Sequence, residues 1–315
     1  MNFKNILIIL FIIFSYSLFA DGHIFVYHRF GDNRFTSSNI SISTLRKHFD
    51  YLKNNNYKVV SLKNMVSKIK NNEEIPDNWV AFTIDDAYKS FYNNGLPVFK
   101  EYNYPFTLFA NTEPIIGKYP DFVTFEELRD ISKYGEVATH SHSHQHSLNI
   151  STNVLLNDIK KSVNILEKEL NKKINYYSHP YGEYDYNILN YLKNLNFQAI
   201  FNQNSGAISN KNNIYDLNRI ALGENDNIEF WLNIKYLIAR WNNIEIKNNS
   251  ITNINVTLNN SIKQIEVYIS GYGWKWYNLN NGILNINLNK PLLYSRNRII
   301  LRTKDNKWNN YLIVK

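Results

Sequence analysis

The residues able to do chemistry in this chain are carboxylates and imidazoles that stand where short apolar runs stop. Asp85 and Asp86 close the run from Trp79 to Ile84 as Thr-Ile-Asp-Asp. Two adjacent carboxylates at a strand end point in different directions, so one can hold a cation while the other acts as base on a water beside it. The ordinary alternative use of such a pair is to cap the following helix. After the run at Val137 comes Thr139-His140-Ser141-His142-Ser143-His144-Gln145-His146. Histidines four apart on a turn or short helix can approach one ion, and with one carboxylate they form a three-ligand site that leaves positions open for water. A His-rich tract of no fixed geometry is the bland reading. His140 with His144 and His142 with His146 have the same spacing, so spacing alone leaves two pairings. His28 and His179 also end apolar runs. With no cysteine among 315 residues and eight histidines, thiolate zinc sites, iron-sulfur clusters, disulfides and cysteine nucleophiles are all excluded.

Residues so far apart converge only if the elements carrying them end together. Apolar runs at His23 to His28, Tyr57 to Val60, Trp79 to Ile84, Phe106 to Ala110, Glu136 to Thr139, Ile174 to Tyr177 and Phe197 to Phe201 read as strands. Between them, apolar residues three and four apart predict helices over Leu45 to Asn54, Leu62 to Lys70, Phe125 to Lys133, Val154 to Leu170 and Tyr186 to Leu195. Strand alternating with helix means an α/β fold with parallel strands, either an open doubly wound sheet or a (β/α) barrel. The barrel is preferred because the carboxyl ends of all its strands meet on one face, where the chemistry-bearing residues lie.

A further helix is expected from Ile228 to Arg240. Beyond it, alternation at Ile254-Val256-Leu258, Ile265-Val267-Ile269 and Leu284-Ile286-Leu288, with runs at Ile299 to Leu301 and Leu312 to Val314, predicts a small all-β, sandwich-like module. About 70 residues stabilise themselves poorly alone, so the module should lean on the first domain. Tyr272, Trp274 and Trp276 share one face of a regular strand, either as packing for this module or as a platform for sugar rings. The expected division is 1–20, 21–242 and 243–315.

The composition is that of a folded protein, with 44% hydrophobic and 20% charged residues. Its net charge of +8 is spread among asparagines without a dense basic run or an RNA-binding signature, so no nucleic-acid partner is expected. Lys4, the apolar stretch Ile6 to Phe14 and a small residue at Ala20 read as a cleavable signal peptide, which places the mature protein in the periplasm or outside the cell. The stretch is shorter than the roughly 20 apolar residues of a membrane span, so membrane contact is expected only through this segment if uncleaved.

Thr83 to Asp86, Gly135 to His144 (Gly-Glu-Val-Ala-Thr-His-Ser-His-Ser-His) and Ser178 to Asp185 (Ser-His-Pro-Tyr-Gly-Glu-Tyr-Asp) resemble, in order and spacing, the first three motifs of the polysaccharide deacetylases, the NodB-homology carbohydrate esterases. Val26-Tyr27-His28-Arg29-Phe30 and Pro105 to Ala110 fit the same pattern, and the resemblance spans roughly residues 23–222. It implies a distorted (β/α) barrel and removal of N-acetyl groups from an N-acetylhexosamine polysaccharide with one divalent metal ion, usually zinc. Carried over by position, Asp85 is the base, Asp86, His140 and His144 hold the metal, and His142 and His146 are spectators or supports. Tyr181 corresponds to a residue whose backbone N–H helps bind the oxyanion. Two departures stand out. The family's late Leu-x-x-His, source of the general acid, has no counterpart because no histidine follows His179, which leaves His179 and His28 as candidates. Ser178 stands where relatives often carry an arginine that tunes the base, and Arg219 is the candidate substitute. Two other readings are a glycan-binding relative that keeps the metal but not turnover, and a two-His-one-carboxylate iron oxygenase, whose ligands usually come from a different, all-β fold.

Overall fold

The computed structural model describes residues 21–315, so the expected signal peptide lies outside the described residues. Seven parallel strands form the first domain: β1 (His23–Tyr27), β2 (Trp79–Asp85), β3 (Phe106–Ala110), β4 (Glu136–Thr139), β5 (Tyr176–Ser178), β6 (Ala199–Phe201) and β7 (Ile220–Ala221). Their order across the sheet is β7-β1-β2-β3-β4-β5-β6, with a short strand Lys58–Val59 also against β2. Leu217 makes a parallel bridge to Phe201 and, a few residues later, Ile220 pairs with Phe25, so one segment reaches from β6 to β1 and closes the sheet into a distorted (β/α) barrel.

Strand periodicity divides the core into two shells. Phe25, Tyr27, Phe82, Ile84, Leu108 and Tyr177 point outward under the helices Ile42–Asn54, Leu96–Tyr102, Phe125–Ile131 and Thr152–Leu170. Ile24, Ala81, Phe109, Ala138, Tyr176, Phe201 and Leu217 point inward, and helix Leu62–Lys70 joins this inner set through Leu62, Met65 and Val66. Ser41, Ser61, Thr124 and Ser151 cap their helices by accepting a backbone N–H, the usual work of a hydroxyl at that position.

The helix expected over Ile228 to Arg240 stops at Leu232. The apolar spacing continues because Lys235–Tyr236 is already a strand, β8, paired with the last strand of the second unit. That unit contains β9 (Arg240–Lys247), β10 (Ser250–Thr257), β11 (Gln264–Ile269), β12 (Gly273–Asn278), β13 (Ile283–Pro291), β14 (Arg296–Arg302) and β15 (Lys307–Val314). A five-stranded sheet, β8-β15-β14-β11-β12, faces a three-stranded one, β9-β10-β13, across a core that includes Ile254, Val256, Val267, Leu284 and Ile299. It is a small sandwich. Trp274 and Trp276 pair with Tyr268 and Glu266, whose neighbours Ile265, Val267 and Ile269 fill that core, so both tryptophans lie on the outer face instead of packing the sandwich.

Candidate active site

The same alternation that builds the inner shell aims the chemistry. Asp85 follows Ala81 and Thr83 in phase, His140 follows Ala138, Ser178 follows Tyr176 and Arg219 follows Leu217, so all four side chains turn inward, the first three at the carboxyl ends of their strands and Arg219 on the segment that leads into β7. Asp85 and Arg219 are fully buried. The guanidinium grips the carboxylate with both arms, Nη1 to Oδ1 at 2.7 Å and Nη2 to Oδ2 at 2.8 Å. Its remaining N–H groups reach the Asn202 carbonyl at 2.9 Å, the Thr83 hydroxyl at 3.1 Å and the Ser178 hydroxyl at 2.8 Å. The small Ser178 therefore leaves room for an arginine that arrives from another strand. Burial alone would raise the Asp85 carboxyl, but the Arg219 charge holds it below the usual carboxylate range.

Asp86, His140 and His144 form a second cluster, their ligand atoms all within 4.8 Å of one another. Oδ1 of Asp86 is buried and accepts no well-aligned hydrogen bond, while Nε2 of His144 and of His140 lie 3.2 and 3.6 Å from it. The Ser178 carbonyl lies 2.9 Å from Nδ1 of His140 and can only accept, so Nδ1 carries the proton and Nε2 is left bare. Burial pushes His140 down to about 4, so its ring is neutral. For Asp86, burial opposes ionisation, but His144 and His28 outweigh it and hold the carboxyl well below the ordinary range. An ionised carboxylate and a neutral imidazole are the protonation states a divalent ion requires, and an oxygen-nitrogen donor set suits zinc and its neighbours. The residues fit a metal.

The loops around this cluster are held in uncommon backbone shapes. Among the described residues, the left-handed ones that are neither glycine nor asparagine are Asp86, Ala87, Ser141, His144, Tyr181 and Lys118, and all but Lys118 belong to the site. Each such residue stores on the order of 1–3 kcal/mol, tolerated where surrounding contacts fix the loop. Asp158, on helix Thr152–Leu170, supplies that fixation by accepting the N–H of His142 at 2.8 Å and the Ser143 hydroxyl at 2.6 Å. The equal spacing of the histidines is broken here. His142 turns away to Thr112, 2.7 Å from its hydroxyl, and His146 pairs with Glu183 at 2.9 Å while stacking flat on Tyr181 at 4.0 Å.

His179 and His28 end in different settings. His179 is buried between Tyr177 and Tyr184 with neither ring nitrogen hydrogen-bonded, and burial pushes it down to about 3. His28, at the end of β1, is half-buried. Sequence reasoning missed Gln203, whose amide Nε2 lies 3.3 Å from Oδ2 of Asp85. Nothing in its spacing marks it. The pairing of Arg296 with the Tyr181 carbonyl, at 2.7 Å, was equally invisible.

An arginine-paired buried carboxylate thus stands beside an Asp-His-His cluster on one face of a curled (β/α) barrel. A family model described as polysaccharide deacetylase matches residues 72–200. The poly-beta-1,6-N-acetyl-D-glucosamine N-deacetylase of Staphylococcus aureus strain MSSA476 is 25% identical over 237 residues, 71% of this chain and 79% of that protein. Among solved structures, the Streptococcus pyogenes deacetylase PplD in complex with acetate aligns with a TM-score of 0.61 at 23% identity, over 65% of this chain and 94% of that one. IcaB from Ammonifex degensii aligns at 0.58 and 19% identity, over 67% and 94%. Over residues 72–200 the chain is thus similar to the polysaccharide deacetylases, hydrolases of amide-linked acyl groups on glycans.

Proposed function

We propose that this protein removes N-acetyl groups from an N-acetylglucosamine polymer outside the cytoplasm, using a divalent ion held by Asp86, His140 and His144. The observation that carries the reading is the bidentate Arg219 pair on Asp85 directly beside that cluster. The substrate class is supported by the similarity to the staphylococcal deacetylase, and the location by the apolar N-terminal segment. Zinc is the ion the donor set favours.

When bound, the ion supplies Lewis-acid polarisation of the amide carbonyl and a more acidic water. Asp85, kept ionised by Arg219, accepts the proton of the attacking water. Tyr181 offers its backbone N–H to the oxygen that gains charge, a donor worth roughly 3–4 kcal/mol when preorganised. His28 returns a proton to the departing amine. It is preferred over His179 because it is only half-buried at the end of β1, whereas an imidazole near 3 is neutral at working pH and has no proton to give.

Acetate release from a β-1,6-linked N-acetylglucosamine oligomer and from a chitin oligomer, with and without a chelator, tests the proposal. Release that stops on chelation and returns with zinc is expected; glycan binding with no release from either oligomer overturns the catalytic reading. Asp85→Asn should lower release by roughly 10²–10⁴-fold while zinc content stays at one equivalent. His140→Ala should lose the zinc itself, read by elemental analysis.

A further inference from the structure

We propose that Arg296 and Arg298 of the β sandwich are positioning residues for the deacetylase site, so that the second unit completes the catalytic centre; the proposal rests on the function given above. The two arginines are two apart on β14 and therefore share a face, the one turned toward the barrel. Arg296 donates Nη1 to the carbonyl of Tyr181 at 2.7 Å. Arg298 donates Nη2 to the carbonyl of Gln203 at 3.2 Å. On the neighbouring strand, Asn310 donates to the carbonyl of Ser205 at 2.7 Å. Three donors thus hold the two loops that border Asp85 and the metal cluster.

Each gripped residue acts on the site directly. Gln203 turns its side-chain amide onto Oδ2 of Asp85 at 3.3 Å. Tyr181 places its ring edge against His144, with centroids 4.6 Å apart, and adopts the left-handed conformation with φ of 57°. A tyrosine is strained in that region unless its neighbours fix it. They do so on two sides: Arg296 takes the carbonyl, and His146 lies flat on the ring at an angle of 6°. These supports are themselves joined, since the buried Glu183 binds His146 at 2.9 Å and lies 3.9 Å from Nε of Arg296. The two loops also touch. At Gly182 a Cβ would come within 2.8 Å of the Cβ of Gln203, so a shift in one loop is passed to the other. Charge-assisted bonds to both carbonyls oppose that shift.

The test uses full-length protein with Arg296→Ala, Arg298→Ala, the conservative Arg296→Lys, and Arg302→Ala as a control on the same strand whose partner is Glu266 within the sandwich. On the N-acetylglucosamine oligomer, Arg296→Ala and Arg298→Ala should lower kcat by roughly tenfold to a hundredfold with KM nearly unchanged, the size expected when reacting groups are displaced by about an ångström. Arg296→Lys should recover part of the loss, and Arg302→Ala should keep wild-type kcat. Amide hydrogen exchange should quicken in peptides covering 179–184 for Arg296→Ala and 201–205 for Arg298→Ala, with zinc content and melting temperature retained. A kcat within about twofold of wild type, unchanged exchange in those peptides, or a loss of activity matching the unfolded fraction overturns the proposal. If the wild-type protein releases no acetate, the deacetylase reading falls, while the exchange experiment still decides whether the sandwich holds the loops.

Discussion

At the scale of single residues, the site depends on a charge pair that water cannot reach. Removing one partner of a buried pair leaves an uncompensated charge and costs about 3–5 kcal/mol. Arg219→Gln should therefore destabilise the protein by that order in a denaturant titration. It should also move the acid limb of the kcat/KM profile upward, because burial, no longer opposed, raises the Asp85 carboxyl. The sign follows from linkage. A carboxyl whose folded pKa is depressed contributes stability above its unfolded value near 3.9, and that contribution is lost as pH falls through the folded value. The resemblance marked Asp85 as the base and offered Arg219 as the residue that tunes it, but spacing alone could not join them, since 134 positions separate them and only the closing of the barrel brings them together. The histidine tract was ambiguous for a different reason. Equal spacing offers two pairings, and the turn at Ser141, with φ of 69°, decides which rings face Asp86.

At the scale of elements, most strands of both units were legible because apolar alternation and turn residues are local signals, but β7 and β9 matched no expected run, and β9 crosses the expected boundary at 242/243. The helix after Ile228 overran because the apolar spacing continues into a strand, and the pairing of β8 with β15 involves residues about 70 positions apart. Helix Thr152–Leu170 carries more than its packing face. Asp158 anchors the histidine loop through backbone and hydroxyl hydrogens, so Asp158→Ala should weaken zinc affinity by roughly tenfold to a hundredfold while the helix persists. A competitive chelator titration with circular dichroism checks both halves of that expectation. The arginines of β14 read in the sequence only as the outward half of an alternating strand. Which carbonyls they meet is fixed by how two separate sheets dock.

For the whole molecule, one buried histidine ties the barrel to the segment that enters the sandwich. Nε2 of His23 lies 2.9 Å from the Ile234 carbonyl, while Nδ1 is buried without a partner. Burial pushes this imidazole down to about 4. Its contribution to stability is present above the unfolded value near 6.5 and is lost as pH falls toward 4, a change of up to about 3 kcal/mol. Asp21 works the other way, since burial pushes its carboxyl up to about 6 and the folded state gains relative stability on acidification. Comparison with His23→Gln, which keeps a donor but does not titrate, separates the two. Its melting temperature should fall less than that of the wild type between pH 7 and pH 4.5 in calorimetry.

The closing segment from Leu217 to Ala221 has a consequence for how the protein is made. A nascent chain that has already emerged through His179 possesses the base, the three candidate ligands and both acid candidates, yet the Asp85 carboxylate would have no counter-charge in the barrel interior. The guanidinium is delivered by the segment that leads into the last strand of the barrel sheet. Sealing the barrel and arming the base are thus one event, and a chain stopped short of residue 219 should be neither stable nor reactive.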